Sequence, residues 1–134
     1  MALHMDDRFA VALEHFDRAL ARLKEALERP EDDIVRDAII QRFEFTFETA
    51  WKVMYRWLRA RGVDLDEDAF STIPEAFKRR LVTDEKAWGE MRKFRNQTSH
   101  TYDESKAIAV AAFARAEAAA LFDELLRVLR ERAE

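Results

Sequence analysis

The chain has 134 residues, a formal net charge of −4, 37% charged and 49% hydrophobic residues, and no cysteine. These totals exclude a disulfide scaffold, a thiolate metal site and a cysteine nucleophile, and they lack the basic excess of proteins that grip duplex nucleic acid. Two glycines and two prolines leave few turns, so a single domain over residues 1–134, all-α and large enough to bury a real core, is expected.

The first five residues, MALHM, read as a vector-derived leader ahead of a start at Met5. No run approaches the roughly 20 apolar residues of a membrane span, and nothing resembles a signal peptide. With no cysteine, a cytoplasmic protein without membrane contact is expected.

A first helical segment runs from about Asp6 to Arg29. Phe9, Leu13, Phe16, Leu20, Leu23 and Leu27 alternate at spacings of four and three, a heptad seam. Asp6 and Asp7 stand where an N-cap and a negative first turn belong, and Pro30 closes the segment. His15 lies beside the seam and reads as solvated.

A second segment runs from about Glu31 to Arg61 and stops at Gly62, a natural residue for the position after a C-cap. Its core stripe is Ile39, Phe43, Phe47, Trp51, Met54 and Leu58. Phe45 and Trp57 fall off that stripe, so the helix is apolar on more than one face. A central helix whose second face meets another chain is expected.

Residues 62–72, GVDLDEDAFST, read as a loop. Its Asp64, Asp66, Glu67 and Asp68 lack the glycine and closing glutamate of a calcium loop, leaving a solvated acidic stretch. A short helix from about Pro74 to Leu81 follows, with Ser71 or Thr72 as cap and Pro74 in its first turn. Thr83 or Asp84 then caps a helix through Trp88, Met91 and Phe94. The last helix begins near Asp103 and runs almost to the end. Alanines 107, 109, 111, 112, 114 and 116 permit close approach, and Phe122, Leu125, Leu126 and Leu129 supply bulk. The architecture these elements suggest is an antiparallel four-helix up-down bundle with a short extra helix in its crossover.

Between the last two helices lies FRNQTSHTYD, residues 94–103. Arg95 and His100 are five residues apart, about 140° around a straight helix, so they converge only if the helix breaks or a second copy contributes. Thr98, Ser99, Thr101 and Asp103 are poor in helix interiors and good as caps, which favours a break. Two readings of this corner are open. In one, Asp103 caps the last helix, Arg95 pairs with a carboxylate and His100 fills space. In the other, His100 acts as general acid or base and Arg95 stabilises a pentacovalent phosphate, cleaving RNA through its 2′-hydroxyl without a metal. Asn96 would position a phosphate, and Tyr102 would stack on a base or hydrogen-bond. Glu44 and Glu48, one turn apart with no histidine at matching spacing, read as a salt-bridged pair rather than metal ligands. No Gly-rich phosphate loop occurs, and no cofactor is expected.

Arg95-x4-His100-x-Tyr102 resembles the Arg-x4-His-x-Tyr motif of HEPN-domain proteins. QRFEFTFETAWK (Gln41 to Lys52), Trp88 and RNQTSHTYDE look like the nucleotidyltransferase substrate-binding protein family within that superfamily. The resemblance implies a four-helix bundle that forms a homodimer or a higher assembly, with the motif near the interface. It also implies a partner, a minimal nucleotidyltransferase encoded nearby. In the wider group some members are toxins of toxin–antitoxin pairs that act as metal-independent ribonucleases, silenced when the transferase attaches AMP to the motif tyrosine. On that resemblance Arg95 and His100 are the catalytic candidates, Asn96 and Tyr102 the supporting ones, and Tyr102 the modification site. A non-catalytic subunit that presents substrate to the transferase is the alternative.

Overall fold

The computed structural model describes residues 5–133, with side chains from Asp7 onward; most of the MALHM leader falls outside that range. The described residues form six α-helices: α1 (Met5–Leu27), α2 (Asp33–Ala60), α3 (Ala69–Lys78), α4 (Glu85–Gln97), α5 (Glu104–Phe113) and α6 (Ala119–Glu131). No strand occurs among the described residues. A π-helical segment, Ala114–Ala118, joins α5 to α6 without a break.

The heptad seam of α1 faces inward. Phe16 and Leu23 are fully buried, and Phe9 and Leu20 nearly so. The helix already runs at Met5, so Asp6 and Asp7 stand inside its first turn and the cap position lies outside the described residues. Helix α2 packs along α1. Arg42 Nη1 donates to the Arg22 carbonyl at 2.7 Å, and the buried Thr46 hydroxyl lies 3.2 Å from the Ala19 carbonyl. The paired numbers fall on α1 as they rise on α2, so the two helices run in opposite directions. Phe122 of α6 is the hub of the core. Its ring meets Phe16 at 6.0 Å and Trp88 at 5.9 Å, both edge-to-face, and Phe43 at 6.3 Å. Such aromatic pairs add roughly 0.5–1.5 kcal/mol each beyond the area they bury.

Gly62 ends α2 as expected, at φ +80°. Its N–H donates to the Arg59 carbonyl and that of Val63 to the Leu58 carbonyl, the paired bonds of a Schellman motif. Four sequence expectations need correction. Helix α3 starts five residues earlier than expected, because Asp68, at φ −150°, accepts from Ser71 N–H at 2.6 Å and outcompetes Ser71 and Thr72 as cap. Pro74 therefore sits mid-helix, where it cannot donate to the Phe70 carbonyl; both residues are exposed, so that carbonyl lies on the solvent side. Trp57 belongs to the chain's own core, 5% exposed beneath the Arg61 guanidinium at 3.6 Å. Of the two residues assigned to the second apolar face of α2, Phe45 remains exposed, at 54%. In the alanine-rich stretch, Ala107, Ala111 and Ala114 are buried, whereas Ala109, Ala112 and Ala116 face outward.

Candidate functional site

The polar corner between α4 and α5 is a built break. Helix α4 ends at Gln97, a single 3-10 turn spans Thr98–His100, and Asp103 caps α5. Hydroxyls take up carbonyls that a continuing helix would have bonded: Thr98 donates to the Arg95 carbonyl at 2.7 Å, Ser99 to Asn96 at 3.2 Å and Thr101 to Thr98 at 3.2 Å. This is the local competition that makes these residues poor helix formers. The Asp103 carboxylate accepts from the Ser105 hydroxyl at 2.7 Å and from the Ser105 N–H at 3.0 Å. Those bonds, the hydroxyl first, hold its carboxyl below the usual aspartate range. Below the corner, Phe94 stacks on Phe113 at 4.3 Å and ties the end of α4 to α5.

Arg95 turns back from α4 onto α2. Its Nε donates to Glu48 Oε1 at 2.9 Å, and its Nη2 lies 3.6 Å from Glu44 Oε1. The other Glu48 oxygen accepts from Trp51 Nε1 at 3.0 Å. A carboxylate anchored by an indole thus fixes the guanidinium, and the Glu44–Glu48 spacing is explained by an arginine 47 residues away. The pair is a salt-bridged one, and no group of three or more metal-ligating side chains occurs among the described residues.

His100 points elsewhere. It is exposed and meets the Tyr102 ring at 6.2 Å, edge-to-face. Tyr102 is 86% exposed. Asn96 is also exposed. Within one chain the break brings His100 and Tyr102 together, and it leaves Arg95 bound to α2 with no hydrogen bond to His100 among the described residues. A cleft of about 700 Å³ adjoins the corner, between Asp37, Gln41 and Glu44 of α2 and Thr98, Thr101 and Tyr102. Sequence reasoning reads Glu44 and Glu48 as a salt-bridged pair and, in one reading, pairs Arg95 with a carboxylate, but it does not join the two or find Trp51 anchoring Glu48.

His15 is solvent-exposed, as its place beside the seam suggested. No helix among the described residues is long and apolar enough to cross a membrane.

Known proteins share this fold. Residues 11–131 match the family model described as nucleotidyltransferase substrate binding protein like. A Haemophilus influenzae protein named probable ribonuclease HepT is 39% identical over 85 residues, covering 58% of this chain. The chain spans 58% of the length of that relative. A crystal structure of a Thermus thermophilus protein superposes with a TM-score of 0.79 at 33% identity, covering 86% of this chain and 98% of the other. A second structure, from Haemophilus influenzae and described as the fold of a substrate binding domain of a nucleotidyltransferase, gives a TM-score of 0.77 at 30% identity. It covers 88% of this chain and 98% of its own.

Proposed function

Because the chain belongs to the nucleotidyltransferase substrate-binding protein family of the HEPN superfamily, we propose that it pairs with a minimal nucleotidyltransferase and acts as a metal-independent endoribonuclease, the toxin of a toxin–antitoxin pair. The supporting observation is the helix break that presents His100 and Tyr102 to solvent while Glu48 braces Arg95 on α2. His100 takes the proton of a 2′-hydroxyl, and the 2′-oxygen attacks phosphorus. The bond to the 5′-oxygen breaks, leaving a 2′,3′-cyclic phosphate and a 5′-hydroxyl that receives its proton from imidazolium. Arg95 keeps Nη1 for the phosphate while Glu48 and Glu44 hold Nε and Nη2. Asn96 positions the phosphate, and Tyr102 stacks on a base.

The bundle is of the antiparallel four-helix kind, pairs as a homodimer or higher assembly, and works in the cytoplasm. The partner transferase silences it when the exposed Tyr102 oxygen attacks the α-phosphate of ATP, transferring AMP and releasing pyrophosphate. A second reading, a non-catalytic subunit that presents substrate to the transferase, draws on one observation. Two carboxylates already surround the Arg95 charge.

Cleavage of mixed single-stranded RNA in EDTA, wild type against His100→Ala, separates the two once intact mass has shown Tyr102 free of AMP. Cyclic-phosphate products from wild type alone support the ribonuclease. Equal cleavage by both proteins removes His100 from the mechanism, and silence from folded, unmodified wild type favours the substrate-presenting subunit.

A further inference from the structure

With a net charge of −4, a protein that cleaves RNA must hold phosphates on some local surface. The cleft beside the motif does not suit them, since its charged lining residues are Asp37 and Glu44. The cavity near the C-terminus carries Arg61, Arg130 and Arg132, but also Glu14 and Asp17; Arg130 is held by Asp17 at 2.9 Å, and Arg61 is laid over the Trp57 ring at 3.6 Å.

A different balance holds in the groove between α1 and α2. A cavity of about 350 Å³ is lined there by Arg8 and His15 of α1 and by Lys52, Tyr55 and Arg56 of α2. That volume falls within the roughly 300–1,000 Å³ of small-molecule sites. The lining has three permanent cations and a single carboxylate, Glu67, which engages Arg56 at 3.2 Å. Arg8 and Lys52 have no ion pair among the described residues, so two of the three permanent charges are left unpaired at the groove.

The basic side chains also continue beyond the cavity. Arg8, His15 and Arg22 recur every seven residues and are all exposed, so they share one outer row of α1. Arg42, bonded through Nη1 to the Arg22 carbonyl, carries the row across the seam. From Arg8 to Arg22 the row runs about 21 Å at 1.5 Å per residue. One phosphate needs far less, whereas several successive phosphodiesters fill that length. An aromatic side chain, Tyr55, lines the same cavity, and cations interleaved with aromatics are how single strands are held. The groove also adjoins the motif helix, since its lining residue Lys52 stands one turn along α2 from Glu48, which holds Arg95.

We propose that the α1–α2 groove docks the phosphate backbone of single-stranded RNA, with Arg8 and Lys52 as its phosphate-binding residues. The proposal rests on the ribonuclease reading and names where that enzyme holds its substrate.

The test is fluorescence anisotropy of a labelled single-stranded RNA across a salt series, with His100→Ala as the parent so that cleavage does not consume the probe. Adding Arg8→Ala and Lys52→Ala is expected to weaken binding roughly tenfold or more. It should also flatten the salt dependence by about 1.4, since each phosphate neutralised on a single strand accounts for about 0.7 of the slope. Arg8→Lys with Lys52→Arg, which keeps both charges, should bind like the parent. An unchanged Kd and slope in the alanine pair overturns the proposal, as does equal loss in the charge-preserving pair. So does displacement of the RNA by inorganic phosphate at matched phosphate concentration, which would mark a free-phosphate site. A parent that ignores RNA but captures the transferase through these two residues overturns it too.

Cleavage is scored separately in the His100 background. RNA held in the groove without cleavage removes the ribonuclease reading and leaves the docking site. Undiminished cleavage by the Arg8→Ala, Lys52→Ala chain removes the docking site and leaves the ribonuclease.

Discussion

Arg95 Nε donates to Glu48 Oε1 at 2.9 Å, and Glu48 is in turn held by Trp51 at 3.0 Å. The side chain at the centre of the motif is therefore positioned from α2, across 47 residues of sequence. A charge-assisted bond of this kind fixes direction as well as energy. Glu48→Ala frees the guanidinium to swing while leaving His100 in place. If Arg95 stabilises the phosphorane, the variant should lose about tenfold or more in kcat with KM nearly unchanged, because displacement of a catalytic group by about 1 Å can cost that much. A matched rise in KM with kcat intact would instead make Glu48 a substrate-binding residue. Circular dichroism on the same sample checks that the fold survives.

The difference between what the residues announce and what they conceal follows the range of the interaction. Asp84 and Asp103 cap helices where a sequence reading puts them, and Gly62 adopts φ +80° after α2. Each depends on neighbours within a few positions. The α1 seam is legible for the same reason, as one heptad pattern decides it. Trp57 is not legible in this way: its burial depends on packing beyond its own helix and on arginines laid over its ring, Arg61 at 3.6 Å and Arg132 at 5.9 Å. The clamp on Arg95 and the basic row facing Lys52 and Arg56 likewise exist only once α1, α2 and α4 are packed. The π-helical segment at Ala114–Ala118 has no signal in an alanine-rich run that suits an ordinary helix equally well. Family membership is readable because a short motif and a longer α2 stretch occur together at the right distance.

Arg80 closes α3 in the left-handed region at φ +60°. Its N–H donates to the Phe77 carbonyl at 3.0 Å and that of Leu81 to the Ala76 carbonyl at 2.9 Å. This is the same Schellman geometry that Gly62 gives α2, built on a residue with a Cβ. The Arg80 carbonyl, not its side chain, accepts from Arg132 at 3.1 Å, so glycine would keep every one of these bonds. A left-handed L-residue costs about 1–2 kcal/mol, partly offset by the greater freedom of glycine when unfolded. Arg80→Gly should therefore stabilise the chain by about 1 kcal/mol in urea denaturation; a lower midpoint would show that the arginine side chain contributes more than its backbone strain.

Thr72 is fully buried in α3, and its hydroxyl has no hydrogen-bond partner among the described residues. A buried unsatisfied hydroxyl costs about 1–3 kcal/mol. Valine has nearly the same shape and removes the polar atom. Thr72→Val should raise stability by about 1 kcal/mol with the urea m-value unchanged. A loss of stability would show that the hydroxyl has found a partner, such as an enclosed water.

Asp103 gives the corner a pH dependence. Its carboxyl is lowered first by the Ser105 hydroxyl and then by backbone N–H groups at the start of α5. A group whose folded value lies below its unfolded one contributes stability that is present in full above the unfolded value, and that contribution disappears as pH falls through the folded value. At neutral pH the cap is fully formed. Acidification below the ordinary aspartate range should protonate Asp103 and fray Glu104 to Lys106, loosening the segment that carries Tyr102. Carbon-13 titration of the Asp103 carboxyl should give a midpoint below that of an unstructured aspartate. Ser105→Ala, which deletes the leading hydrogen bond, should move it upward. A midpoint at the ordinary value in the wild type, or no movement on Ser105→Ala, would mean that the cap does not hold the turn between α4 and α5.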